Sequence, residues 1–263
     1  LHEMAERMKR RESFSNLIVP VTIGGAPRWW ELSASPRLDE SGKFLGFRGV
    51  GSDVTEQRAT AEQIARMARF DNLTGLPNRL SLNEDLARAL AHAIDAKTRC
   101  AMLMIDLDRF KAVNDTLGHP VGDKLLAQVA ARLKGLMERG MTCGRLGGDE
   151  FAVILHNVAS AEAAEELARR LINTISRPYV VDNHQLFVGA SIGYAIGPQD
   201  GATVETLTRN ADLALYKSKD RGGNVVAGYV ASLHAQAEER RVMEQELRGA
   251  LERREFELYY QPV

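Results

Sequence analysis

The sequence predicts an α/β (α+β) protein, with a partial antiparallel sheet followed by one larger domain of mixed helices and strands. Three observations predict it. Residues 17–52 carry three short runs rich in β-branched and aromatic residues, separated by Gly, Pro and Asp turns. Residues 71–228 alternate helical and strand patterns over roughly 160 residues, an ordinary size for one domain. The composition, 44% hydrophobic and 26% charged, is that of a folded globular chain and excludes disorder, collagen and a disulfide scaffold.

In order along the chain, residues 1–15 are polar and helix-prone. Strands are predicted over 17–23, closed by Gly24-Gly25, over 28–34, closed by Pro36 and the turn 39–42, and over 44–50. Three strands alone bury too little surface to be stable, so this sheet needs a partner or a missing half. Asp53 reads as an N-cap and Glu56 as its capping-box partner, opening a helix over 55–70. Ile64, Met67 and Phe70 recur at three-residue spacing on that helix, a narrow apolar stripe suited to a two-helix seam. The next patterns are a helix over 82–96, an apolar strand over 100–106 and an amphipathic helix over 121–137. Strands over 143–146 and 151–155 are joined at Gly147-Gly148. A helix follows over 160–175, then a hairpin over 178–195 turning near Asp182-Asn183, a helix over 204–218 and a strand over 224–229. A charged helix over 234–254 leads into an apolar strand over 256–263.

Charge and hydropathy narrow the function. The chain has 34 Lys and Arg against 35 Asp and Glu, a net charge of −1. No bulk positive charge recruits nucleic acid or anionic lipid, so neither partner is expected. The longest apolar run, Cys100 to Ile105, falls far short of the roughly 18 to 20 residues a membrane span needs. Residues 1–12 are too charged for a signal peptide. Cys100 and Cys143, the only cysteines, form no CxxC and read as reduced structural thiols of a cytoplasmic protein.

Chemistry concentrates at two acidic places. The apolar run ending at Ile105 delivers Asp106 to the end of a buried strand, with Asp108 two positions on. Asp149 and Glu150 follow the Gly147-Gly148 turn. Carboxylates at strand ends beside a glycine hairpin suit a hard cation such as Mg²⁺, which takes one or two carboxylates together with water and substrate phosphates. Glycines lacking Cβ let a bulky ligand approach the backbone. The competing reading is an ordinary Gly-Gly hairpin followed by solvated acids. Arg109 and Lys111 come directly after the acidic strand end, in what reads as a turn whose backbone N–H groups cradle phosphates. Asn114 and Asp123 are the residue types that read a guanine edge, the amide at O6 or N7 and the carboxylate at N1–H and N2. Lys219, at the end of another helix, is placed to meet a terminal phosphate. Taken singly, each of these side chains also fits a solvated surface.

Four motifs in order carry a family resemblance: Asp71-Asn-Leu-Thr-Gly-Leu-Pro-Asn-Arg79, the segment Ile105 to Asp123, Arg145-Leu-Gly-Gly-Asp-Glu-Phe151, and Ala211-Asp-Leu-Ala-Leu-Tyr-Lys-Ser-Lys219. Together they resemble the GGDEF family, the diguanylate cyclases, across about three fifths of the chain. The resemblance implies a palm-like nucleotide-cyclase domain over 71–230, with a central sheet wrapped by helices. It implies two GTP molecules joined into cyclic di-GMP with release of pyrophosphate, two Mg²⁺ (or Mn²⁺) per GTP site, and a homodimer for catalysis. Asp106 and Asp149 match the metal carboxylates, the Leu107 carbonyl a backbone ligand, and Glu150 a supporting acid at the same metal site. Asn114 and Asp123 match the guanine readers. Phe110, Lys111 and Lys219 match phosphate contacts, and Arg109, His119, Gly147 and Gly148 fall in the same substrate-binding motifs. Asp71 and Arg79 anchor the opening segment rather than touch substrate.

Two departures stand out. Many members carry an inhibitory Arg-x-x-Asp product site beginning nine residues before the first motif glycine, where this chain reads Glu138-Arg-Gly-Met141. After the final helix, the family's Lys-x-x-Gly-Arg-Asn becomes Lys219-Asp-Arg-Gly-Gly-Asn224, so Gly223 stands for an arginine that Arg221 would have to replace. The flanks add further resemblances. Residues 1–54 look like the C-terminal part of a PAS sensory domain, with Trp29 and Trp30 read as core. Residues 55–70 then form a signalling helix. Residues 231–263 look like a linker helix and the start of an EAL phosphodiesterase domain, whose catalytic acids would lie further on. The alternative function is a GTP-binding regulatory module that controls such a phosphodiesterase and synthesises little. A purely structural dimerisation segment would leave the phosphate and guanine positions unexplained.

Overall fold

The computed structural model describes residues 2–253, 255, 257, 259 and 260. They form two compact units, Leu1–Ala68 and Arg69–Val263. The strand expected over 256–263 lies largely outside the described residues.

In the first unit, helix α1 (His2–Lys9) precedes strands β1 (Phe14–Ile23), β2 (Ala26–Leu38) and β3 (Phe44–Asp53), an antiparallel meander in the order β1-β2-β3. Helix α2 (Thr55–Arg69) follows directly. The chain is pinned where sheet becomes helix. Asp53 Oδ1 accepts from the Thr55 N–H at 3.0 Å and from its hydroxyl at 2.6 Å, while Thr55 Oγ1 accepts from the Trp29 N–H at 2.8 Å. Asp53 therefore caps two residues on, in an Asx-turn. Trp29 is half-buried, with the Arg58 guanidinium 4.2 Å from its ring centroid. Helix α2 buries none of its side chains, and Ile64, Met67 and Phe70 are exposed.

The second unit contains α3 (Arg79–Asp95), β4 (Cys100–Asp108), α4 (Phe110–Leu117), α5 (His119–Leu136), β5 (Met141–Gly147), β6 (Glu150–Leu155), α6 (Ala161–Ile175), β7 (Tyr179–Val181), β8 (His184–Leu186), β9 (Gly189–Gly197), α7 (Val204–Asp220), β10 (Val226–Gly228) and α8 (Ser232–Glu252). Its central sheet has the order β10-β9-β4-β6-β5. β10 runs parallel to β9, and the other pairs are antiparallel. β4 is the middle strand, buried on both faces, which is why it reads as a continuous apolar run. Ala101, Leu103, Ile105 and Leu107 join the core beneath α5 and α6, while Cys100, Met102 and Met104 join the core beneath α3 and α7. The two-residue period of the strand then places Asp106 on the α3/α7 face.

Three local expectations change. The segment after β4 is a helix rather than a turn. Phe110, Val113 and Leu117 lie on one face against the core, and Arg109, at φ 62°, makes the break from β4. α3 begins at Arg79 because the Asn78 side chain accepts from the Ser81 N–H at 3.1 Å and caps it there. The hairpin predicted over 178–195 is two structures. β7 and β8 turn at Asp182-Asn183, both at positive φ, and β9 then leaves to pair with β4. β9 is buried at every position but its first and needs both faces covered, which a two-stranded hairpin does not offer.

Candidate functional site

Pairing between β4 and its neighbours assembles the acidic centre. Asp106 lies opposite Glu150 on β6 and Ser191 on β9. The Leu107 N–H donates to the Asp149 carbonyl at 3.3 Å, holding the β5–β6 hairpin tip against the end of β4. The last turn of α7 brings Lys219 Nζ to 2.6 Å from Asp106 Oδ2. Asp106 is only 9% exposed. Burial pushes its carboxyl above the usual range, Lys219 pulls it down, and the charges of Asp149 and Glu150 push it up again. The net upward direction is set first by burial, with the two neighbouring carboxylates adding to it and Lys219 opposing it.

A framework that residue types alone did not reveal supports the hairpin. Arg145 donates from Nε and Nη2 to the Gly148 carbonyl at 3.0 and 2.7 Å. From Nη1 it reaches both oxygens of Asp71 at 3.1 and 3.2 Å. Asp71 also accepts from the Thr74 N–H and hydroxyl, which folds the opening segment back on itself. Burial raises the Asp71 carboxyl, but these donors outweigh it and hold it below its ordinary value. Arg79 donates to the Leu146 carbonyl at 3.3 Å and sits 3.7 Å from Glu150. Arg79, Asn83, Met104, Glu150, Thr208 and Arg209 line a cleft of about 500 Å³ between α3 and α7. The sequence signal for the framework was present: an arginine two positions before the first of the two glycines and an Asp-x-x-Thr turn.

Among the described residues, no three His, Cys, Asp or Glu side chains stand together in a group that could hold a metal ion by themselves. An open set of strand-end carboxylates, one of them buried, still fits Mg²⁺, which leaves several positions to water and phosphate. Asp108 is engaged elsewhere. It accepts from Ser191 Oγ at 2.7 Å and from the Asn224 N–H at 2.7 Å, tying β4 to β9 and to the loop after α7. That loop gives Gly223 a physical reason. The residue sits at φ +78°, and a Cβ there would lie 2.9 Å from Asp108 Oδ1, so an arginine would be strained and crowded.

The other sequence-derived residues lie on the segments that follow β4. Phe110 is buried at the start of α4, while Arg109 and Lys111 beside it are exposed. Asn114 is half-buried on α4, and Asp123 and His119 are exposed on α5. Gly147 and Gly148 form the exposed hairpin tip. Arg221 is placed with α6. It lines a groove with Arg169, Asn173 and Asn224, while Lys219 holds the Asp106 carboxylate. Glu138, at the position of the inhibitory arginine, accepts from Arg170 at 3.4 Å, and Met141 opens β5.

The mixed five-stranded sheet flanked by helices matches solved GGDEF domains. Residues 68–225 match the family described as "Diguanylate cyclase, GGDEF domain", and residues 1–59 match the PAS fold. The chain belongs to the GGDEF family, with a PAS-type sheet at its N-terminus. It is 45% identical over 205 residues, 78% of this chain and 30% of the relative, to the bifunctional diguanylate cyclase/cyclic di-GMP phosphodiesterase MucR of Pseudomonas aeruginosa. It is 32% identical over 212 residues, 81% of this chain and 32% of the relative, to the cyclic di-GMP phosphodiesterase PdeR of Escherichia coli. The GGDEF domain of TpbB (YfiN) from P. aeruginosa superposes with a TM-score of 0.62 at 35% identity, covering 64% of this chain and 99% of that one. The coiled coil and GGDEF domain of DgcB from Caulobacter crescentus, solved with cyclic di-GMP, gives 0.59 at 30% identity, covering 66% and 93%. The chain spans about a third of the length of these two curated relatives. Among the described residues, no helix is long and apolar enough to cross a membrane.

Proposed function

We propose that this chain condenses two GTP into cyclic di-GMP, working as a homodimer. The observation that carries the reading is the intact Gly147-Gly148-Asp149-Glu150 hairpin set against Asp106, with Lys219 on that carboxylate. Asp106, Asp149 and Glu150, with the Leu107 carbonyl, would hold Mg²⁺ or Mn²⁺. When bound, the ions stabilise charge on the attacking and leaving oxygens of phosphoryl transfer. The chain's own groups do the rest. Asn114 and Asp123 hold the guanine edge, and Phe110 excludes water beneath it. Lys111 and Arg109 meet phosphate at the start of α4, where the helix N-terminus favours an anion. Lys219 exchanges its ion pair with Asp106 for a phosphate oxygen. Asp149 draws the proton of the 3′-hydroxyl toward the acidic centre. One domain holds one GTP, so ring closure needs a second chain, and the exposed stripe of Ile64 and Met67 on α2 is the surface that would pair them.

The second reading is a GTP-binding regulatory module with little synthesis, set in a chain that continues into an EAL domain. Gly223 favours it, because the arginine expected on phosphate is absent and Arg221 lies with α6. Incubating the chain with GTP and Mg²⁺, then resolving cyclic di-GMP from linear dinucleotide and unreacted GTP, decides between the two. Accumulating cyclic product supports synthesis. GTP that binds and survives supports regulation.

A further inference from the structure

The Asn114 carboxamide is an anomaly of this fold. Its Oδ1 is fully buried and has no hydrogen-bond partner. A buried, unpaired acceptor is costly, so something must hold it in place. The atom lies against Gly122, the fourth residue of α5. A Cβ built at Gly122 would stand 1.9 Å from Asn114 Oδ1, 3.0 Å from its Cγ and 3.2 Å from the Phe110 ring. The Asn114 carboxamide is by far the nearest group to that point, so it is the group that must yield first. Glycine is among the poorest helix formers, and Gly122 already accepts the helical pattern by donating to the Gly118 carbonyl at 3.3 Å. Local propensity therefore argues for alanine, and the contact with α4 argues against it.

We propose that Gly122 is a specificity-determining residue. Its missing Cβ is the slot on α5 that receives the Asn114 carbonyl end, leaving Nδ2 to donate outward to the acceptors of a guanine edge. The assignment rests on the proposed role of Asn114 and Asp123 in guanine binding and adds the element that sets the amide's position. It also explains why the two readers sit where they do. Asp123 is the next residue on α5, so the helical turn that seats the amide in a steric slot also carries the carboxylate. A side chain at 122 expels the carboxamide from its seat and leaves Asp106, Asp149 and Lys219 untouched.

The test uses the whole chain and two readouts. Binding of 3′-deoxy-GTP and 3′-deoxy-ATP, which lack the attacking hydroxyl, is measured by calorimetry with Mg²⁺. Thermal unfolding is measured without nucleotide. The variants are Gly122→Ala, Asn114→Ala and the double substitution. Wild type should prefer the guanine nucleotide, and Gly122→Ala should reduce that preference about tenfold or more. The double variant should be no worse than Asn114→Ala, because both remove the same contact. In the unfolding arm, Gly122→Ala should lower Tm in the wild-type background and lower it clearly less in the Asn114→Ala background, where only the 3.2 Å approach to the Phe110 ring remains. An unchanged guanine preference in Gly122→Ala, or equal Tm losses in both backgrounds, overturns the proposal. A wild type that binds both nucleotides equally, with the smaller Tm loss in the Asn114→Ala background intact, overturns the guanine reading and the specificity role with it.

Discussion

Replacing Arg145 with Met should weaken the second unit and loosen its hairpin together. The arginine side chain is 11% exposed and makes two bonds to the Gly148 carbonyl and two to Asp71. Hydrogen bonds to charged groups contribute about 1.5–3 kcal/mol each, and removing one partner of a buried pair costs about 3–5 kcal/mol. Asp71 is 24% exposed and keeps both bonds from Thr74, so its charge is not left bare. We expect a loss of about 2–4 kcal/mol, below the sum of the separate bonds. For a domain of this size that lowers Tm by about 5–12 °C. The loss depends on pH. Asp71 is held below its ordinary value of 3.8, so its contribution is present above that pH and disappears as pH falls through the folded value. The gap between wild type and Arg145→Met should therefore be widest near neutrality and shrink in acid. Thermal unfolding across pH, with hydrogen exchange at the Gly148 and Asp149 amides, reads both effects. Unfolding at the wild-type temperature with unchanged exchange would show that Arg145 is a bystander.

Other outcomes follow from the same geometry. Asp149→Ala should abolish synthesis, losing about 3 kcal/mol or more of transition-state stabilisation; near-normal turnover would remove Asp149 from the metal site. Asp106→Asn should also stop synthesis while raising stability by about 0.5–2 kcal/mol at neutral pH. The sign follows from the raised carboxyl, which favours the fold when protonated at low pH and loses that contribution as pH rises through its folded value. A fall in Tm at pH 7 would contradict it. Cyclic di-GMP should inhibit weakly, because Glu138 and Met141 replace the Arg clamp and its Asp; tight non-competitive inhibition that vanishes in Arg139→Ala would reverse that expectation. Ile64→Glu should depress synthesis at dilute protein far more than it depresses GTP affinity, with partial recovery as concentration rises. An unaltered concentration dependence would exclude α2 as the pairing surface.

What was legible in the sequence was whatever repeats over short range. Runs of β-branched and aromatic residues bounded by Gly, Pro and Asp turns marked β1, β2 and β3, and the buried apolar run marked β4. The 3.6-residue period marked α2, α5, α6 and α7, and the four motifs named the chemistry by residue type. Boundaries moved where one side chain decided them, as with Asn78 at the start of α3. α4 escaped because eight residues beside two acids and two cations read as a turn, and only the core beneath Phe110, Val113 and Leu117 makes them a helix.

Tertiary structure alone decided which residues meet. Asp71 and Arg145 lie 74 residues apart, and Asp108 and Asn224 lie 116 apart. No local periodicity encodes such separations. They follow from the order β10-β9-β4-β6-β5, which sets β4 between the glycine hairpin and the strand beneath α7. The same packing sent β9 away from β7 and β8, placed Lys219 on Asp106, left Arg221 with α6, and closed Asn114 against Gly122. The sequence by itself determined the fold class, the family and the residue types at the site. Their distances, burial and partners came from long-range packing, because a strand pattern states that a strand exists and buries a face, while its neighbours are chosen by how all the faces are covered at once.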